Sequence, residues 1–226
     1  MGEIIIDDSL RERLHVFRDR YHAGKLLADM LKKHISLEDS VLLAIPAGGI
    51  PVGYEISRIL DLPMDLVIVR KLQIPWDPEA GFGAISSDGE IVLNERLVDY
   101  LGLSEEVIEE VVRKTLRIIR DRFKKFRMFK PVMNVRDKTV ILVDDGLASG
   151  YTMLAAIRSI KKKSPKRIIV AVPTASTAAV EFVSREVNKI LCLNVRSSRI
   201  FAVADAYRKW RDLADDEVVE ILRKIG

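Results

Sequence analysis

Between residues 139 and 194 the chain alternates short, unbroken apolar runs with segments of helical periodicity. The runs lie at 139–143, 167–172 and 189–194, and the helical patterns at 152–163 and 176–186. An unbroken apolar run is a strand buried on both faces. Helix-sized connections between such strands make them parallel, with right-handed crossovers. Upstream, the run at 41–45 stops at Pro46, and 66–69 reads as a second buried strand. Ala23, Leu26, Leu27, Met30 and Leu31 recur at helical spacing within 20–34, and Tyr54, Ile56, Ile59 and Leu60 suit a helix ending near Asp61. The expected fold class is α/β, a twisted parallel sheet flanked by helices.

The remaining segments are less regular. Residues 73–90 hold two prolines and three glycines, which reads as a long loop with a short hairpin around Asp88-Gly89. A long helix is expected from Ser104, its cap, with Glu105 and Glu106 at its positive end and Pro131 stopping it. Ile108, Val112, Ile119, Phe123 and Phe126 form its packing stripe. Segment 113–130 carries nine basic residues and one acidic residue, with Phe129 among them. Such a pattern is either a solvated basic face or a surface for RNA. Ser176 is expected to cap the helix that follows it, and 218–225 reads as a closing helix.

With 226 residues, the chain is long enough for a substantial core. No run reaches the length needed to span a bilayer, and residues 1–8 lack a signal-peptide pattern. Cys192 is the one cysteine. It rules out an internal disulfide and, lying in an apolar run, reads as a packed core residue. Together these features predict a cytoplasmic location without membrane association. The net charge of +4 suits a phosphorylated substrate. His15, His22 and His34 have no ligand spacing, so no structural metal is expected.

The stretch Val140-Ile-Leu-Val-Asp-Asp-Gly-Leu-Ala-Ser-Gly-Tyr-Thr152 carries the chemistry. It sets Asp144 and Asp145 at the carboxyl end of a buried strand, where open α/β sheets hold ligands. Small residues follow and lead into a helix, so backbone amides can approach an anion. Two acceptors for hydroxyls beside an anion cradle suit a sugar phosphate. Pro46-Ala-Gly-Gly-Ile-Pro-Val52 is a second such turn, with paired glycines before a helix. Neither the dinucleotide fingerprint nor the P-loop signature occurs.

The 140–152 segment resembles the phosphoribosyl-pyrophosphate (PRPP) motif of type I phosphoribosyltransferases, and the resemblance extends from about Arg18 onward. It implies that Asp144 and Asp145 contact the ribose hydroxyls and sit beside Mg²⁺, the implied cofactor, through water. It places the 5-phosphate on Ala148, Ser149, Gly150, Tyr151 and Thr152. The 46–52 turn resembles the family's pyrophosphate loop, which gives that role to Ala47, Gly48, Gly49 and Ile50. The family often has a basic residue where Ala47 stands. Lys71 is the expected catalytic cation for pyrophosphate, with Arg70 as its neighbour. Residues 73–88 would form a mobile lid. Asp77-Pro-Glu-Ala-Gly-Phe-Gly-Ala84, with Arg18-Asp19-Arg20, resembles an uncharacterised subgroup, although the triplet receives no role. A variable hood should hold the acceptor base: Phe201, Tyr207 and Trp210 could stack on it and Asp205 could bond its edge.

By the same resemblance the chain is one domain over 1–226. Its core covers about 18–200, with a lid or hairpin at 73–93, a helical insertion at 94–130 and a C-terminal hood and helix at 201–226. The implied activity is transfer of the phosphoribosyl group of PRPP to a purine or pyrimidine base in nucleotide salvage, by a homodimer. The alternative is a PRPP-sensing regulator that binds nucleic acid without turnover.

Overall fold

A computed structural model describes residues 1–127, 132–198 and 200–225. In chain order it comprises β1 (Glu3–Ile6), α1 (Arg20–His34), β2 (Ser40–Ala44), α2 (Gly49–Leu60), β3 (Met64–Leu66) and β4 (Val69–Ile74). Next come β5 (Asp77–Ser86), β6 (Ile91–Leu93), α3 (Glu95–Leu101), α4 (Glu105–Arg127) and β7 (Thr139–Val143). The chain continues with α5 (Tyr151–Lys161), β8 (Arg167–Ser176), α6 (Thr177–Ser184), β9 (Lys189–Arg196), a 3₁₀ turn (Val203–Ala206) and α7 (Asp215–Arg223).

Six strands form a parallel sheet in the order β1-β9-β8-β7-β2-β3. Each apolar run divides its side chains between the two faces, as the two-residue period of a strand requires. Leu42, Ala44, Ile141, Val143, Ile169 and Ala171 join the core under α1, α2 and α7. Val41, Leu43, Val140, Leu142, Ile168 and Val170 join the opposite core under α5 and α6. This is an α/β fold with helices on both sides of a parallel sheet, and a small antiparallel sheet in the order β4-β5-β6 sits beside it as part of the hood region.

Two segments depart from expectation. Residues 66–69 do not form one strand: β3 ends at Leu66 in the main sheet, and the chain crosses to the small sheet at Val69. Arg70 and Lys71 therefore lie inside β4 rather than at the end of a central strand. The supposed loop at 73–90 is largely β-structure. Phe82 and Ile85 are buried with Leu72 and Ile74 in the larger core. The turn at Asp88-Gly89 is real, with Gly89 at φ +87°. A register shift beside Gln73 and the small residues Gly81 and Gly83 interrupt the alternation that would have marked these strands.

β1 has no counterpart in the sequence reading. It extends the sheet beyond β9 with four residues in parallel register. β8 continues past the expected limit to Ser176, through Pro173. Pro173 falls beyond Ala171, the last β8 residue opposite β7, and the register with β9 skips it, passing from Val172 to Thr174.

The helix starts agree with the capping residues. Asp19 Oδ1 accepts from the His22 amide at 2.8 Å, and Ser176 Oγ from the Ala179 amide at 3.1 Å. Ser104 Oγ accepts from the Val107 amide at 3.4 Å ahead of α4. The expected stop at Pro131 and the positions of Phe129 and Lys130 lie outside the described residues. Several α4 cations have acidic partners: Arg122 meets Asp215 at 3.0 Å, Lys125 meets Asp216 at 2.8 Å, and Arg127 pairs with buried Asp65.

The segment around Phe17 runs beside the segment around Tyr207. The Phe17 amide donates to the Ala206 carbonyl at 2.9 Å, and the Arg208 and Lys209 amides donate back to Phe17 and Arg18 at 2.8 and 2.9 Å. Sequence positions nearly two hundred residues apart thus meet over the carboxyl ends of the strands.

Candidate active site

β7 and β2 are adjacent and in register, Val143 opposite Ala44. The turns that follow them are therefore neighbours. The Ile45 amide donates to the Val143 carbonyl at 2.9 Å, lacing the base of the glycine turn to β7. A side chain at Gly49 would sit 2.7 Å from that same carbonyl, and one at Gly48 would overlap the Asp145 carboxylate. The two glycines allow this close approach. The Pro46–Ala47 peptide is cis.

In the acidic turn the Asp145 amide donates to Asp144 Oδ1 at 2.8 Å. Asp145 Oδ2 accepts from Arg20 Nε at 2.7 Å. The Tyr207 hydroxyl donates to the Asp145 carbonyl at 2.6 Å. Burial, and then repulsion from Asp145, pushes the Asp144 carboxyl well above the usual range. Burial raises Asp145 as well, against the pull of Arg20. Two crowded carboxylates thus share one arginine.

The phosphate-type turn continues from there. The Leu147 amide donates to the Thr174 carbonyl, and the Ser176 amide to the Leu147 carbonyl, both at 2.9 Å. These bonds anchor the turn to β8. Gly150 has φ +84°, a conformation few other residues adopt, and turns the chain into α5. Among the described residues, no protein acceptor takes the amides of Ala148, Ser149 and Gly150. They stand at the positive end of α5, which suits an anion. Tyr151 and Thr152 open that helix, with the Tyr151 ring against Phe182 at 5.2 Å.

The glycine turn offers less than expected. The Gly49 amide donates to Ile45 at 3.0 Å, and the Ile50 amide to Ala47 at 3.2 Å. The amides of Ala47 and Gly48 have no protein acceptor among the described residues. Ile50 is a core side chain.

The other predicted residues have protein contacts of their own. The Lys71 ammonium donates to the Glu79 carbonyl across the β4–β5 pair, so in this structure the hairpin engages it. Arg70 is half-buried, and burial followed by the nearby Arg122 charge lowers its guanidinium from its ordinary value. Tyr207 is only 2% exposed, so its ring has no open face for a base and instead supports the acidic turn. Its phenol is raised well above the usual range, by burial and then by Asp145. Phe201 lies against the Arg196 guanidinium at 4.4 Å, and Asp205 pairs with Arg196 at 3.4 Å. Trp210 remains 38% exposed.

Arg20 is the residue to which sequence reasoning assigned no role. Beyond Asp145, its Nη1 donates to the Arg211 carbonyl at 2.8 Å, and its guanidinium lies 3.9 Å from the Trp210 ring centroid. The only signal was the Arg18-Asp19-Arg20 triplet. Nothing local shows that its last member reaches a turn 125 residues away.

Comparisons with known proteins show the family and the fold. The family model described as a phosphoribosyl transferase domain matches residues 19–207. Two Mycobacterium tuberculosis proteins, from strains CDC 1551 and H37Rv, are each 34% identical over 209 residues, 92% of this chain. Their own assignment as phosphoribosyl transferases is provisional. The chain spans about half their length, 47%. The crystal structure of TT1426 from Thermus thermophilus is 35% identical, with TM-score 0.76, over 93% of this chain and 99% of that one. A hypothetical protein from Neisseria gonorrhoeae, solved with bound ppGpp, shares the fold at 16% identity and TM-score 0.52, over 99% and 98% of the two chains. The chain belongs to the phosphoribosyl transferase domain family.

Proposed function

We propose that the protein transfers the 5-phosphoribosyl group of PRPP to a nitrogenous base and releases pyrophosphate. One observation carries this reading: the acidic turn and the glycine turn lie side by side, each with amides that no protein group among the described residues takes. In this reading the ribose hydroxyls donate to Asp144 and Asp145. The 5-phosphate lies on the amides of Ala148, Ser149 and Gly150, with Tyr151 and Thr152 extending that cradle. The pyrophosphate lies on the amides of Ala47 and Gly48. Lys71, with Arg70 behind it, reaches the pyrophosphate when the β4–β5 hairpin moves over the site. The hood from Phe201 and Asp205 to Trp210 covers the acceptor.

The bond changes follow from this placement. A ring nitrogen gives its lone pair to C1′ to form the new bond, the C1′–O bond breaks, and pyrophosphate leaves with the electrons of the broken bond. Any proton on the nitrogen passes to water. Positive charge grows on the ribose in the transition state, and the paired carboxylates lie where they oppose it. Arg20 holds the Asp145 carboxylate in place, and Tyr207 holds the Asp145 main-chain carbonyl.

The acidic turn also fits Mg²⁺. Its carboxylates carry more negative charge than Arg20 neutralises, and hard oxygen donors suit that ion. Among the described residues no cluster of three or more metal-ligating side chains exists. Asp144 and Asp145 would therefore hold Mg²⁺ together with substrate oxygens. Bound there, the ion would neutralise charge on the departing pyrophosphate.

The test is a double substitution, Asp144→Asn with Asp145→Asn, assayed for pyrophosphate release from PRPP with a panel of free bases. A fall of about 10²-fold or more is expected, with an unchanged circular dichroism spectrum. Undiminished turnover in the double variant would reject the assignment.

A further inference from the structure

A groove of about 810 Å³ runs along α5 to the end of α6 and the start of α3. Tyr151, Leu154 and Phe182 supply its ring and aliphatic surface, and Arg96, Arg158 and Arg185 supply positive charge. Tyr151, Leu154 and Arg158 are spaced three and four residues apart, so they share one face of α5. Phe182 and Arg185 stand about one turn apart at the end of α6. The rings of Tyr151 and Phe182 meet at a tilt of 49°. Arg96 lies in the first turn of α3. Burial raises the Tyr151 phenol and the Arg96 charge opposes that rise, which puts Arg96 near the Tyr151 hydroxyl.

Elsewhere Arg58, Arg122, Arg127, Arg196 and Arg211 each meet a carboxylate. Arg96, Arg158 and Arg185 have no hydrogen bond and no ion pair among the described residues. Two carboxylates also border the groove. Glu186 meets Lys161 at 2.5 Å, and Glu95 sits at the positive end of α3. The groove thus carries a clear excess of positive charge. A single exposed arginine needs no partner, since water serves it. Three that border one groove repel one another, and an anion placed among them relieves that repulsion. Guanidinium forks match phosphate oxygens two by two, and aromatic walls favour a flat ring.

Length narrows the choice of ligand. Tyr151 and Arg158 are seven residues apart, about 10 Å along α5. A ligand that touches both has a flat end and an anionic end separated by that span. Inorganic phosphate is too short, and a nucleoside without phosphates leaves the arginines unused. We propose that this groove is a nucleotide site, separate from the sugar-phosphate turns, whose ligand is a nucleoside di- or triphosphate. The base lies against Tyr151 and Phe182. The phosphates accept from Arg158 and Arg185, and Arg96 stands at the base end. The site does not depend on the phosphoribosyl-transfer reading.

The test is calorimetric titration of the full chain with ADP, ATP, GDP and GTP, with adenosine, guanosine and inorganic triphosphate as controls. At least one nucleotide should bind saturably, about tenfold or more tighter than its nucleoside and than inorganic triphosphate. Arg158 and Arg185 are exposed and lie outside the acidic and glycine turns, so their substitution leaves the fold intact. Arg158→Ser with Arg185→Ser should weaken that nucleotide about tenfold or more. An excess of PRPP should not displace it. An 8-azido analogue of the nucleotide, irradiated in the complex, should label the segments 151–158 or 182–186, as peptide mass spectrometry would locate.

Absence of binding by all four nucleotides would overturn the proposal. Inorganic triphosphate binding as tightly as the nucleotides would overturn it too, since the arginines would then be a simple anion patch. Displacement by PRPP, or unchanged affinity in the double arginine variant, would place the nucleotide elsewhere and reject the groove. A single-stranded oligonucleotide that binds through Arg158 and Arg185 where no mononucleotide does would make the groove a nucleic-acid surface and reject the nucleotide site. Every arm reads binding, so none of these outcomes depends on turnover of PRPP.

Discussion

At position 48 any side chain would overlap the Asp145 carboxylate. Gly48→Val should force that carboxylate off Arg20, at a cost of roughly 1–3 kcal/mol, the range for a lost hydrogen bond between charged groups. PRPP should then raise the melting temperature far less than in the parent, as differential scanning fluorimetry would show. Cys192 is a different case. It is fully buried, and burial pushes its thiol up to about 12. A folded-state value above the unfolded one favours folding below about pH 9 and loses that contribution as pH rises toward 12. A disulfide reagent at pH 8 should therefore label Cys192 only after denaturant is added, as thiol titration would reveal. The two acids and the free amides at 148–150 were legible because they follow an unbroken apolar run. Arg20 was not, because its partner lies 125 positions away and only the folded chain brings them together.

Strands and helices report the same contrast. β2, β7, β8 and β9 are buried on both faces, so their composition announces them. β4 alternates buried and half-exposed residues, β5 is exposed at its start and buried along its second half, and a register shift with glycines at 81 and 83 breaks the pattern, so they resemble a loop. β1 is short and lies at the sheet edge, and four residues are too few for a pattern to stand out. The helix caps were easier, because the chemistry of a cap is local. Ser176 caps α6 and also donates to the Ala148 carbonyl at 2.7 Å. Ser176→Ala should destabilise the fold by about 0.5–2 kcal/mol in urea titration. It should weaken phosphate binding further, because the turn at 148 loses a tether.

Across the whole molecule, the sheet is closed on its far side by β1. The Gly2 amide donates to the Ser184 carbonyl at 2.6 Å, and Lys189 meets Glu3 at 2.9 Å. Ile4, Ile5 and Ile6 cover both faces beside β9. Removing residues 1–6 should cost roughly 2–4 kcal/mol from lost apolar burial. Because this edge lies four strands from β2, the affinity for PRPP should change little, and calorimetry on the truncated chain would check both outcomes.

The pairing of the Phe17 and Tyr207 segments has a consequence for the order of assembly. A ribosome releases Arg20 well before Tyr207. The acid-bearing bend needs both, one on a carboxylate oxygen and the other on a carbonyl. A nascent chain arrested ahead of Tyr207 already contains both glycine-bearing turns, yet it lacks the brace that holds them for a sugar phosphate. Competence for ligand arrives only once Tyr207 has emerged.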